Sequence, residues 1–244
     1  MNINETYFET IIKFNKTLEN FSVELPDGFE IINPFNGKQS ESVWKVVETF
    51  YSKFYNDTNK RHIILGSSPA RCGSAVIGIP FEDAKHLEQE TGICIDHFKI
   101  NKSSSNFLFE VIERYGGFSE FYKNFYMNFV CPLGITRINE KGRKVNCNYY
   151  ENRELQNALE PFILNSLQTQ LNFELEKSTC ICIGSGENYS FLEKLNNKYH
   201  FFKKIISLEH PRYIMQYNSN RKDEYIDKYL LALNDTKGGQ NGTI

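Results

Sequence analysis

Four short apolar runs, separated by longer segments with helical spacing, constrain this chain more than any other feature. The runs are RHIILG, YMNFVCPLGITRI, STCICIGSG and KKIISLEHP. An apolar run of this length, bounded by Gly or Pro, is typical of a strand that is buried on both faces. Strands that alternate with helices pair most simply in parallel. The pattern therefore predicts an α/β fold with three layers, α/β/α, around a short, mainly parallel four-stranded sheet.

Helices are predicted wherever apolar residues recur at three- and four-residue spacing. They cover residues 5–20, 41–56, 82–92, 106–126 with a break at Gly116-Gly117, 151–172, 188–199 and 221–233. The sequence ends in NDTKGGQNGTI, which is polar and rich in glycine. We expect residues 1–234 to form a single domain and residues 235–244 to form a flexible C-terminal tail.

Composition excludes several classes of protein. The 28 Lys and Arg residues nearly balance the 30 Asp and Glu residues, and the net charge of −2 excludes a generally basic nucleic-acid coat but not a local basic groove. No run of about 18 uncharged apolar residues is present, so no transmembrane helix is expected. The N-terminal residues lack the apolar core of a secretory signal. A bacterial cytoplasmic location is expected.

The six cysteines include no C-x-x-C pair. Ligand pairs of zinc and iron–sulfur sites usually lie that close in sequence, so we expect no metal site. We expect all six thiols to be reduced in the cytosol. Cys180 and Cys182 alternate along a strand and are expected to be core residues.

Three of the predicted strands end in residues that can do chemistry. In open α/β sheets, ligands bind at the carboxyl ends of the strands. The first strand leads into GSSPARCGSAVIGIPF, whose small residues allow a ligand to approach the backbone closely. This loop has neither the Gly-Lys-Ser/Thr of a phosphate loop nor the glycine spacing of a dinucleotide fingerprint. An ordinary structural loop remains the alternative.

The last strand ends at His210-Pro211-Arg212. Pro211 removes one N–H and stiffens the turn behind the histidine. A histidine held there can donate a hydrogen bond to developing negative charge. The alternative is an exposed loop histidine.

Together these segments resemble the single-strand-selective monofunctional uracil-DNA glycosylases, within the uracil-DNA glycosylase superfamily. The first motif of that family stands here as GSSPARCGSAVIGIPF, and its histidine motif stands as HPRYIMQYN. Between them, NFVCPLG resembles the strand that carries Cys-Pro-Leu. The bacterial branch is the most similar, through LPDGFEIINPF and GIPFEDAKHLEQETGI. The resemblance covers roughly residues 10–233 and implies a uracil-DNA glycosylase-like fold.

The resemblance implies a monofunctional DNA glycosylase, which flips a damaged or modified pyrimidine out of DNA and hydrolyses its N-glycosidic bond. His210 would stabilise the charge on the leaving base, and Phe81 would stack on the flipped ring. Arg212 and the residues from Tyr213 to Tyr217 would form the wedge that fills the gap. No metal, cofactor or lysine nucleophile is implied, and the product is an abasic site.

DNA, single-stranded or duplex, is the implied partner, and no membrane is. We expect a monomer. Because the net charge is slightly negative, binding would depend on a few cations near the cleft, for which we predict Arg71, Arg212, Arg221 and Lys222.

The chain departs from the family pattern at two places. The asparagine that positions the attacking water falls on Ser68, and the glycine that follows falls on Ala70 in the predicted base-binding loop. The asparagine that reads the base falls at or next to Phe129, with Asn128 beside it. Since side chains alternate along a strand, only one of these two residues can enter the pocket. An amide from Asn128 could read uracil, whereas Phe129 would favour another base.

Three functions therefore remain open from the sequence. The first is repair of uracil or an oxidised pyrimidine such as 5-hydroxymethyluracil. The second is removal of a different modified base, for instance from phage DNA as a defence. The third is a non-catalytic DNA-binding relative that keeps the fold without the water site.

Overall fold

A computed structural model describes residues 5–82, 84–93 and 103–238 of the 244-residue chain. Seven strands are present in that part of the chain: β1 Phe29–Ile32, β2 Arg61–Gly66, β3 Phe125–Phe129, β4 Gly134–Ile138, β5 Lys144–Cys147, β6 Leu175–Ile183 and β7 Lys204–Leu208. The helices there are α1 Tyr7–Glu19, α2 Ser40–Tyr55, α3 Ser74–Ile77, α4 Ala84–Thr91, α5 Ser103–Tyr115, α6 Gly117–Asn124, α7 Arg153–Leu171, α8 Glu187–Tyr199, α9 Pro211–Tyr217 and α10 Lys222–Gly238, with a 3₁₀ turn at Ser219–Arg221.

The central sheet has four strands in the order β3-β2-β6-β7, and every pairing in it is parallel. Helices flank it, so the α/β/α prediction is confirmed. The register places Gly66 beside Phe129 and Ile183 beside Leu208. Because the strands run in one direction, the loops after all four strands emerge at the same edge.

A second sheet was not predicted. It contains β1, β4 and β5 in antiparallel order β1-β4-β5. The sequence YMNFVCPLGITRI reads as one strand, but the chain leaves the central sheet at Pro132, which has no N–H for a ladder. It begins β4 at Gly134, where a Cβ would lie only 2.6 Å from Cβ of Ala75. The hairpin β4–β5 therefore packs against the loop that follows β2.

Two helices also differ from the prediction. The loop after β2 contains α3, a single turn, where the Gly and Pro content indicated only loop. The last helix, predicted to end near residue 233, continues to Gly238, so residues 235–238 of the predicted tail are helical. The remainder of that tail lies outside the described residues.

The amino end of β2 is fixed by a buried cation. The Arg61 side chain is fully buried and makes two hydrogen bonds to the Asp57 carboxylate, at 2.9 and 2.8 Å. Its guanidinium carbon also lies 4.7 Å from the ring centres of both Tyr7 and Tyr55. A buried charge is tolerated only when it is paired and hydrogen-bonded, so these contacts determine where β2 begins.

The fold bears on two expectations from the sequence, the core position of two cysteines and the absence of a transmembrane helix. Cys180 and Cys182 are buried in β6, which confirms them as core thiols. Burial raises the pKa of Cys182 to about 12. Across residues 5–82, 84–93 and 103–238, no helix combines the length and the apolar character needed to span a membrane.

Candidate active site

A cleft of about 630 Å³ opens at the carboxyl edge of the central sheet. This volume lies within the usual range for a site that encloses a small molecule. Its lining comes mainly from the loop after β2, the end of β3, the end of β5 and the segment after it, the end of β6 and the segment that begins α9. Of the predicted site residues, the cleft is lined by Ser68, Ala70, Arg71, Phe81, Phe129, His210, Arg212 and Tyr213.

Two aromatic rings form one wall of the cleft. Phe81 and Phe129 stack with ring centres 5.0 Å apart and planes 29° apart. They lie over Gly66, where a Cβ would come within 2.5 Å of Phe81 Cζ and 2.9 Å of Phe129 Cδ1. Only glycine leaves room for this pair at the end of β2. The wall offers an apolar face on which a flat base can stack.

The Phe81 backbone is held in an uncommon conformation. Its φ is +61°, in the left-handed region that non-glycine residues rarely adopt. The Phe81 N–H donates to Ser74 Oγ at 2.9 Å, which holds the turn in place. Strain of this kind persists where the surrounding structure determines the conformation, and it is commonly found at functional sites.

Phe129 lines the cleft and the Asn128 side chain does not. The Asn128 amide donates from Nδ2 to the Tyr126 hydroxyl at 2.6 Å, and its Oδ1 accepts from the Phe129 N–H at 2.8 Å. Both ends of the amide are occupied on the opposite side of β3. Of the two alternatives that the sequence left open, the alternation along β3 therefore favours Phe129 as the residue that enters the cleft.

His210 lies at the N-terminal end of α9, with its ring centre 6.5 Å from that of Phe81. Its Nδ1 accepts a hydrogen bond from the Arg212 N–H at 3.0 Å. A nitrogen that accepts carries no proton, so the neutral ring carries its proton on Nε2. Burial, and secondarily the positive charge of Arg212, lower the pKa of His210 to about 4. The ring is therefore an uncharged donor at neutral pH.

Two serine hydroxyls meet one amide on the other side of the cleft. Ser67 Oγ lies 2.9 Å and Ser68 Oγ lies 3.1 Å from Asn148 Oδ1. Glu151 Oε1 accepts from both Asn148 N and Asn148 Nδ2, at 2.8 and 2.9 Å. The segment after β5 thus contacts the loop after β2 at Ser68, the residue that the resemblance aligns with the family's asparagine.

Sequence reasoning missed Asn148. The available signal was the alternation N-x-N at residues 146–148, which places two amides on one side of a strand. Asn146 Oδ1 accepts from the Arg71 N–H at 2.8 Å and so also holds the loop after β2. The sequence did not predict that this hairpin pairs with β1. It therefore gave no indication that the two amides contact the loop after β2.

The predicted cations divide into two groups. Arg71 and Arg212 line the cleft, together with Tyr213, whose side chain is 49% exposed. Arg221 and Lys222 are not among the residues that line it, so their contact with DNA stays a prediction. They lie where α10 begins and are paired with acidic side chains: Arg221 with Glu224 and Lys222 with Glu110, each at 2.7 Å.

The described residues hold no group of three or more His, Cys, Asp or Glu side chains that could bind a metal ion.

The arrangement was compared with known proteins. The sequence profile of the Uracil DNA glycosylase superfamily matches residues 52–234. The chain belongs to the uracil-DNA glycosylase superfamily. The crystal structure of wild-type SMUG2 from Pedobacter heparinus is similar along almost the whole chain, with a TM-score of 0.90 and 42% identity, covering 96% of this chain and 100% of that one. No curated protein matches.

These similarities confirm the resemblance drawn from the three sequence motifs. The chain is a DNA N-glycosylase, an enzyme that hydrolyses N-glycosyl bonds and acts on uracil-type bases in DNA. The cleft described above is its candidate active site.

We predict that Gly66→Ala destabilises the fold, because the new methyl group would overlap Phe81 and Phe129. Overpacking of this kind costs about 1–3 kcal/mol of unfolding free energy, measurable by urea denaturation. Gly37→Ala is the matched control, since a Cβ there meets nothing within 4 Å. Equal stability of the two variants would show that the aromatic pair can move aside.

We also predict that the His210 ring stays neutral from pH 7 down to about pH 4, because its pKa is lowered to about 4. Long-range ¹H–¹⁵N NMR should show a protonated Nε2 and an unprotonated Nδ1 at pH 5.5. The spectrum of His210→Gln assigns the signals. A midpoint near the ordinary histidine value of about 6.5 would contradict the geometry.

Proposed function

We propose that this enzyme binds a uracil-type base flipped out of DNA and hydrolyses its N-glycosidic bond, leaving an abasic site. The observation that carries the proposal is the neutral His210 ring, fixed with its proton on Nε2 beside the Phe81–Phe129 wall. A donor whose position is set before the reaction stabilises developing negative charge without reorganising. Base excision creates such charge on the base oxygen.

The reaction needs one bond to break and one to form. As the bond between C1′ of the sugar and N1 of the base lengthens, its electron pair moves onto the base, and His210 Nε2–H donates to the base O2. The sugar becomes electron-poor, and a water molecule adds its oxygen to C1′. The proton lost by that water and the proton gained by the departed base are exchanged with solvent. We propose that Ser68 orients the attacking water.

The aromatic wall supports binding of the base. Stacking on an aromatic side chain contributes about 1–3 kcal/mol per base, and it is tolerant of base identity because every base has a π-face. The base-reading asparagine of the family aligns at or next to Phe129, and Phe129 is the residue that lines the cleft here. Selection for uracil would then depend on the shape of the cleft and on His210.

The position of Phe129 also supports a second candidate function. With Phe129 in the cleft and the Asn128 amide occupied elsewhere, a different modified base, for instance in phage DNA, could be the substrate. The same fold and the same His210 donor would support excision of that base. The two candidates differ only in the base preference of the wild-type enzyme.

DNA would be held by the rim of the cleft. Arg71 and Arg212 would contact phosphates, and the exposed ring of Tyr213 would stack on a neighbouring base or fill the gap left by the flipped one. A monofunctional reaction without a covalent imine stays a prediction from the resemblance. A monomeric state and a bacterial cytoplasmic location stay predictions.

We predict that His210→Ala lowers the single-turnover rate of uracil excision by about 10²–10³-fold, the usual effect of losing one preorganised donor. The variant should stay folded, with a melting temperature lowered by a few degrees because α9 loses its His210 cap, which costs about 0.5–2 kcal/mol. His200→Asn is the control, because His200 is exposed and asparagine tolerates its left-handed φ of +54°. A His210→Ala rate within threefold of wild type would exclude this role.

Ser68→Asn should keep or raise the rate of uracil excision, because asparagine brings back the amide that the family uses at this position. Its carbonyl can accept from the water while its N–H₂ donates to Asn148. Single-turnover kinetics and a melting curve measure the effect. A slower variant with a native melting temperature would show that the cleft is built around serine, which favours the second candidate function.

A further inference from the structure

The contact between Ser68 and Asn148 determines the direction of a hydrogen bond. Asn148 Oδ1 is a carbonyl oxygen and can only accept, so the Ser68 hydroxyl at 3.1 Å must be the donor. The same holds for the Ser67 hydroxyl at 2.9 Å. Two hydroxyl protons are thus directed to one oxygen, whose two lone pairs are then both used.

Glu151 fixes which end of the Asn148 amide faces the serines. A carboxylate oxygen accepts and does not donate, so it selects the Nδ2 end of the amide, at 2.9 Å. The same Oε1 accepts from the Asn148 backbone N–H at 2.8 Å, which ties the side chain and the main chain to one point. The reverse orientation of the amide would place Oδ1 against the carboxylate and remove the acceptor from the serines.

The hydrogen bond to Asn148 fixes what the Ser68 oxygen can offer to the cleft. A hydroxyl has one proton and two lone pairs. With the proton committed to Asn148, the lone pairs are what Ser68 Oγ can offer to the cleft, where it can accept a hydrogen bond from a water molecule. In this respect it matches the carbonyl oxygen of an asparagine at the same place. An unattached serine would rotate and offer either its donor or its lone pairs.

We propose that Asn148 is a positioning residue for the hydrolytic water, acting through Ser68. This inference rests on the proposed function and extends it to a residue of the segment that follows the second sheet. The hairpin β4–β5 then has a role in the reaction, since it leads into the amide that makes Ser68 an acceptor. Glu151 supports the role by holding the amide.

A double-mutant cycle tests the proposal, with single-turnover excision of uracil from a single-stranded oligonucleotide as the measurement. Asn148→Ala should slow excision by about tenfold, which corresponds to one hydrogen bond. Ser68→Ala should slow it at least as much. Because Asn148 acts through Ser68, the double variant should be no slower than Ser68→Ala. A rate for Asn148→Ala within twofold of wild type, or additive effects, would overturn the proposal.

A binding measurement separates positioning from loss of structure. The probe is a single-stranded oligonucleotide with one 2′-fluoro-deoxyuridine, whose glycosidic bond resists hydrolysis. Asn148→Ala should bind it with wild-type affinity within about twofold, because only the water is misplaced. An affinity that falls as much as the rate would overturn the proposal, since it would mean that the cleft itself is disturbed.

The variant Asn148→Asp with Glu151→Ala keeps the test valid even if Asn148→Ala does not fold. The carboxylate introduced at position 148 can accept from both serines, and removal of the Glu151 carboxylate avoids repulsion between like charges. The backbone N–H at position 148 is exposed and can donate to water instead. Excision should therefore stay within threefold of wild type or become faster. A tenfold loss would overturn the proposal.

Asn139→Ala is the matched control, because its Oδ1 holds the turn of the same hairpin by accepting from the N–H groups of Lys141 and Arg143, at 3.0 and 2.9 Å. It should keep the wild-type rate, and a loss equal to that of Asn148→Ala would overturn the proposal. A wild type that releases no base would overturn the proposed function together with this inference. An active wild type with an unaffected Asn148→Ala would overturn this inference alone.

Discussion

The parallel pairing of β2 with β3 is the constraint on which the candidate site depends. It aligns Gly66 with Phe129 at the carboxyl edge of the sheet, and the missing side chain of Gly66 leaves the space that Phe81 and Phe129 fill. The same edge receives the end of β7, which carries His210 to within 6.5 Å of Phe81, measured between ring centres. The β2–β3 register therefore sets the aromatic wall, and the parallel pairings of β6 with β2 and β7 bring the donor to the same edge.

The cleft can stabilise an anionic leaving base although its histidine donor, His210, is uncharged at neutral pH. The Arg212 N–H occupies Nδ1 of His210, and burial keeps the ring uncharged at neutral pH. The Ser68 hydroxyl donates its proton to Asn148, so the cleft is lined both by the His210 donor and by the Ser68 lone pairs. Each polar group has its direction set by a neighbour, which is what preorganisation requires.

Sequence reasoning succeeded where a local pattern determines the structure. The apolar runs indicated the parallel sheet, and the motifs located Phe81, His210 and the loop after β2. It failed where the outcome depends on packing between distant segments. Asn128 and Phe129 could not be separated without the register of β3, Asn148 was invisible without the second sheet, and Arg221 and Lys222 are paired with acids that lie on α10 and α5.

Product analysis on defined oligonucleotides tests the central claim most directly. Wild-type enzyme would be incubated with single-stranded DNA that contains one uracil, one 5-hydroxymethyluracil, or cytosine as the unmodified control, followed by mass spectrometry and by gels with and without alkali. The account predicts release of free uracil and strand breaks only after alkali, because the product is an abasic site. Uracil DNA that stays intact, or strands that break without alkali, would contradict it.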